Sequence, residues 1–159
     1  MEKHHLEKIA NNLVGRAIIK EVMSLKLAVS LIEKVEEKAR EMDMRVVIAV
    51  YDASGTQVAV HCMDGAYHGS FDVALNKTYT STAFQMSTKE LSRLCQPGQD
   101  LYGLQFSNEG KVMILGGGEP LMVGDTMIGA LGVSGGTATQ DTELAAYGRA
   151  MLKDVIAWL

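Results

Sequence analysis

Residues 129–136, GALGVSGG, carry the pattern with the most direct chemical meaning in this chain. Gly132-Val133-Ser134-Gly135-Gly136 fits the G-x-S-x-G turn that lifts a nucleophilic serine between a strand and a helix. In the fold that bears this turn, the acid and the histidine follow the serine. Here all four histidines, His4, His5, His61 and His68, precede Ser134. Triads are defined by geometry, so an upstream histidine is not barred, yet the hairpin-rich pattern around Ser134 offers no parallel sheet to seat such a turn. The residues point away from a serine nucleophile and toward the backbone. Gly135 and Gly136 leave amides ahead of a helix start, where a carboxylate or phosphate binds, and Gly116-Gly117-Gly118 is a second such loop. Tight turns also require glycine, so each loop reads as a corner or as an anion site.

Other groups add to this set. Asp64, Gly65 and Ser70 bracket a polar loop at a helix entry, which holds a ligand or simply caps the helix. His68 stands on that loop beside Gly69, and imidazole suits transition metals. Lys77 falls two turns inside the following helix. It belongs to a solvated face or, beside a glycine loop, meets an anionic group. Glu119 and Asp141 are metal-ligand types, each with a local alternative: a turn residue, and a favourable charge in a helix first turn. His61 reads as a satisfied sheet residue. Two cysteines are too few for a four-cysteine zinc site, and Cys62 and Cys95 are expected as free thiols in a reducing, cytoplasmic setting. No acid–base pair or nucleophile–base constellation stands out, which favours binding over catalysis.

The elements that must position these groups follow from length and periodicity. The chain has 159 residues, a formal net charge of -4 and 47% hydrophobic residues, as expected of one domain with one core. No basic footprint points to nucleic acid, and no apolar run reaches the roughly 18 residues of a membrane span. The first residues are interrupted by charges and amides, unlike a signal peptide. Residues 1–22 are expected as a helical arm and residues 23–159 as a single domain. Ser24 reads as an N-cap, with Leu25, Ala28, Leu31, Ile32, Val35, Ala39 and Met42 on one helical face. RVVIAVYD is a central strand, Asp52-Ala53-Ser54-Gly55 a turn and TQVAVHCM the returning strand. Helices are expected over about 70–85 and 88–94. Three short strands, KVMILGGG, EPLMVGD and TMIGALGVSG, come next, and a C-terminal helix over about 139–159 has a capping box from Thr137 to Gln140. Tight hairpins and interleaved helices give an α+β architecture.

Two long stretches, MDGAYHGSFDVALNKTYTSTAFQMSTKEL and GGGEPLMVGDTMIGALGVSGGTATQD, carry a family resemblance. Asp64-Gly65-Ala66, Ser70, Lys77, Thr80, Ser87-Thr88, Gly117-Gly118, Pro120, Gly132 to Gly136 and Asp141 are its main points. The chain resembles the family that includes the glycolate-operon protein GlcG, the haem-binding protein HbpS and the C-terminal domain of the corrinoid adenosyltransferase PduO. The resemblance covers about residues 24–158. It implies a profilin-like α+β fold with a five-stranded antiparallel sheet, homo-oligomers from dimers to octamers, and haem or a related tetrapyrrole, including a corrinoid, as cofactor. It also implies a setting near cobalamin-dependent diol or glycerol metabolism. On this footing His68 is the expected metal ligand, and the cofactor-binding set is His68, Asp64, Gly65, Lys77, Gly117, Gly118, Ser134, Gly135 and Gly136. No catalytic residue is assigned. The function implied is a non-catalytic or accessory tetrapyrrole-binding module, the alternatives being an enzyme of oxidative haem turnover or an oligomeric small-anion-binding protein. One departure stands out: Cys62 occupies the place where the family commonly has arginine.

Overall fold

The structure, a computed structural model, describes residues 22–159. The arm expected over residues 1–22, with His4 and His5, lies outside the described residues except for Val22. The Ser24 backbone is extended and its hydroxyl accepts the Leu27 amide at 3.1 Å, which starts helix α1 (Leu25–Glu41). Such a cap satisfies one of the orphan amides of the first turn and contributes about 1 kcal/mol. Leu27, Ala28, Leu31, Ile32, Val35 and Ala39 form its buried stripe. Leu25, expected on that stripe, is 62% exposed, and Leu27 is the buried residue of the first turn. Lys34 with Glu37 and Lys38 with Glu41 pair along the solvated side.

Strands β1 (Val47–Asp52) and β2 (Gln57–Cys62) form the expected hairpin. At its turn the Asp52 carboxylate accepts the amides of Ser54 and Thr56 at 2.9 and 3.0 Å, and Gly55 takes φ +83°. Helices α2 (Ser70–Phe84) and α3 (Thr88–Leu94) fall where the sequence predicts them. Ser70 does not cap α2: it is the first helical residue and is buried, and the N-cap position is Gly69, with no side-chain bond. Strands β3 (Gly118–Val123) and β4 (Thr126–Ser134) make a second hairpin, and α4 (Ala138–Trp158) closes the chain behind the predicted Thr137–Gln140 capping box.

The four strands lie in the order β2-β1-β4-β3, every neighbouring pair antiparallel, so the α+β expectation holds. The described residues supply four of the five expected strands. Residues 111–117, expected to begin the final strand run, form no ladder with the sheet. Their polar groups are taken up elsewhere: the Met113 amide donates to the Thr80 hydroxyl of α2 at 2.8 Å, and Gly117 turns at φ +122°. Val112 meanwhile packs with Leu91 and Cys95. With the Met113 amide given to a helix and only the Gly117 carbonyl oxygen accepting from β4, from the Val133 amide at 2.8 Å, the segment adds no strand to the sheet.

Because side chains alternate across a strand, β1 serves two layers. Ile48 and Val50, with Val46 just before the strand, join the core with Leu31 and Ile32 of α1 and Leu144 and Leu152 of α4. Val47 and Ala49 face Ala74 of α2. The second interface is built from small residues because helix and sheet approach closely. A Cβ at Gly132 would run into the Thr78 hydroxyl and the Ala74 carbonyl oxygen. The crowding of glycine and alanine in GALGVSGG is thus first a matter of packing against α2.

Candidate functional site

Lys77 projects from the inner face of α2 and is 1% exposed, so of the two readings of this residue the solvated face is set aside. Its ammonium donates to the Asp141 Oδ2 at 2.8 Å and to the Val133 carbonyl oxygen at 2.9 Å. The other Asp141 oxygen accepts the Gly136 amide at 2.8 Å. Asp141 therefore does more than place a charge in a helix first turn. It fills the amide site that Gly135-Gly136 offers and neutralises a buried cation. Burial pushes the Lys77 pKa down, and the hydrogen bond and charge of Asp141 pull it back. The glycine loops make room for this pair: a Cβ at Gly117 would stand 2.8 Å from the Lys77 Nζ and 2.9 Å from the Asp141 Cβ. Gly118 lies equally close to the Lys77 carbonyl oxygen and the Ser81 hydroxyl, at 2.6 and 2.7 Å from such a Cβ. Lys77, Gly117, Gly118 and Gly136 thus converge as a lock around the buried Lys77–Asp141 pair. Gly135 packs on the backbone of Arg45 and Val46. Ser134 ends β4 opposite Val47, buried.

His68 lies elsewhere. It is exposed on the loop between β2 and α2 and lines a groove of about 440 Å³ with Val47, Cys62, Met63, Ala66, Tyr67 and Phe71. None of the Lys77 lock lines this groove. Tyr67 is 75% exposed and Phe71 38% exposed, so both rings present surface to solvent beside the imidazole. They flank an imidazole and an exposed thiol, Cys62, over an apolar floor. A flat apolar ligand carrying a soft or borderline metal suits this chemistry, with His68 or Cys62 as the metal donor.

Asp64 lines a second groove of about 380 Å³, with Glu36, Arg40, Arg45, Cys62 and Met63. Gly65 turns at φ +83°, and Arg45 Cγ lies 3.8 Å from where its Cβ would be. His61 is the satisfied sheet residue expected, its Nδ1 2.7 Å from Glu36 Oε1. Glu119 pairs with Arg149 at 2.9 Å. Among the described residues no three histidine, cysteine or acidic groups cluster as a metal site. Sequence reasoning did not single out Tyr67, Phe71, Arg40 or Arg45. The available signal was local: Tyr67 next to His68, with Phe71 one helical turn on, puts two rings and an imidazole at one helix entry.

Comparison with known proteins adds four findings. The family model described as "Haem degrading protein HbpS-like" matches residues 23–150. Over 123 residues the chain is 42% identical to an uncharacterized 15.0 kDa protein from the dhaT-dhaS intergenic region of Citrobacter freundii, covering 77% of this chain and 87% of that one. It is 39% identical over 109 residues to the corrinoid adenosyltransferase PduO of Salmonella typhimurium, covering 69% of this chain and 32% of PduO, so it spans about a third of that protein. Among solved structures, PduOC in complex with haem superimposes with a TM-score of 0.78 at 36% identity, covering 81% of this chain and 94% of that one.

Proposed function

The chain belongs to the HbpS-like family of haem-degrading proteins, and from that premise we propose that it is a tetrapyrrole-binding module that takes haem in the groove at His68. The observation that carries this reading is the pairing of an exposed imidazole with two solvated aromatic faces over an apolar floor. The kinship with a domain solved as its haem complex supports it. Tyr67 and Phe71 would cover the faces of the ring, Val47, Met63 and Ala66 would exclude water beneath it, and His68 would hold the metal. The iron would supply Lewis-acid and redox chemistry when bound. In this reading Lys77, Gly117, Gly118 and Gly136 support the ligand indirectly, by fixing α2 against the sheet.

The role is binding or accessory. The likeness to PduO and to a protein of the dha region supports a place beside cobalamin-dependent diol or glycerol metabolism, with a corrinoid as the alternative ligand. Homo-oligomeric assembly and a cytoplasmic location, the latter consistent with free Cys62 and Cys95, belong to the same proposal. Absorbance titration with haemin and separately with hydroxocobalamin tests it. A saturable shift at one haem per subunit or fewer, lost in His68→Ala, is expected. A shift unchanged in that variant moves the iron to Cys62, His4 or His5, and no saturable shift with either compound overturns the reading.

A further inference from the structure

We propose that the groove lined by Arg40 and Arg45 is the acidic-edge subsite of the same pocket, with Arg45 as the cation that anchors a ligand carboxylate. This rests on the tetrapyrrole reading and narrows it to a ring bearing free carboxylates, such as haem with its two propionates. A corrinoid such as cobalamin, whose ring margin carries neutral amides, would offer Arg45 only uncharged acceptors there.

The two grooves share Cys62 and Met63 as lining, so the apolar floor beside His68 runs directly into a polar depression. The charged groups in that depression are not equally available. Glu36 is committed on both oxygens, one to Arg40 at 3.1 Å and the other to His61 at 2.7 Å. Arg40 spends one guanidinium nitrogen on that pair. Arg45 spends one donor on the Met44 carbonyl oxygen at 3.2 Å, and Asp43 stands 3.7 Å away, beyond a good hydrogen bond. A guanidinium has five N–H donors in a fixed fork that matches a carboxylate. Arg45 therefore keeps a forked face to offer, and its stem lies along Gly65, where the missing side chain leaves room. Asp64 lines the same groove and is exposed, so it opposes an incoming anion weakly.

The test compares haemin with haemin dimethyl ester, which presents the same ring without the carboxylates. Binding to the full chain is followed by absorbance in wild type, Arg45→Gln, Asp64→Asn and His68→Ala, with thermal melts to confirm folding. Arg45→Gln should weaken haemin roughly three- to tenfold, the range for a half-exposed charge-assisted pair, and leave the diester unchanged. Asp64→Asn should tighten haemin slightly and leave the diester unchanged. His68→Ala should weaken both compounds alike. Equal losses for both compounds in Arg45→Gln, or no loss for either, would overturn the subsite while leaving the tetrapyrrole reading in place. If neither compound binds wild type, the tetrapyrrole reading itself fails, and the subsite with it.

Discussion

Lys77 Nζ lies 2.8 Å from Asp141 Oδ2, joining two buried residues 64 positions apart. The pair ties α2 to the start of α4, and the third partner, the Val133 carbonyl oxygen, ties both to the end of β4. Three elements that contribute to different layers therefore meet at one ammonium.

Removing one partner leaves the other charge buried and unpaired, which costs about 3–5 kcal/mol where burial is this complete. Lys77→Met should lower the urea midpoint accordingly. The double variant Lys77→Met/Asp141→Leu should lose less than the sum of the two single losses, with a coupling above roughly 1 kcal/mol. Additive losses would mean that the two side chains act independently. Haem affinity, by contrast, should change little in any of these variants that remains folded.

Gly132→Ala tests the close approach of sheet and helix. The added methyl would collide with the Thr78 hydroxyl and the Ala74 carbonyl oxygen, so α2 must shift outward. A loss of about 1–3 kcal/mol is expected from such overpacking. Gly69→Ala is the control: no atom lies within 4 Å of its Cβ position and its φ of -64° is ordinary. That change should stay within about 0.5 kcal/mol. Equal melting temperatures for the two variants would remove the packing argument.

Glu119 offers a prediction in pH. Burial raises its pKa above the usual 4.5, against the lowering effect of Arg149 and Lys89. A group with a raised folded pKa binds protons more readily in the folded state, so stability falls as pH rises from about the unfolded value through the folded one. Glu119→Gln removes that titration. The melting temperature of wild type minus that of the variant should therefore decline on going from pH 4 toward pH 7. A difference that rises over this range would mean that the Arg149 pair outweighs desolvation.

How much of this was legible in the sequence depended on the range of the interaction. The Asp52–Gly55 turn, the bounds of α3 and the Thr137–Gln140 capping box each rest on contacts within a few residues, and each is where the spacing places it. The burial of Lys77 rests on Asp141 and on glycine loops contributed by distant segments, so its own helical context suggested a solvated face. Residues 111–117 read as a short strand with a glycine corner, yet the Met113 amide goes to the Thr80 hydroxyl of a helix, which no strand periodicity reveals. The site was split in the same way. His68 was visible as a residue type, whereas the Arg45 groove exists only because the chain before β1 and the loop after β2 come together in the fold.

The Gly136 amide already has a carboxylate, and that has a bearing on ligand competition. A free phosphate or carboxylate arriving at this loop must displace a rival that is covalently tethered to the same helix and held in place by an internal cation. Such a rival is present at an effective concentration that dissolved metabolites do not approach. The Gly136 amide is therefore occupied by its own chain, and a small acid screened against this protein would be steered away from it, toward the neighbouring loop between β2 and α2.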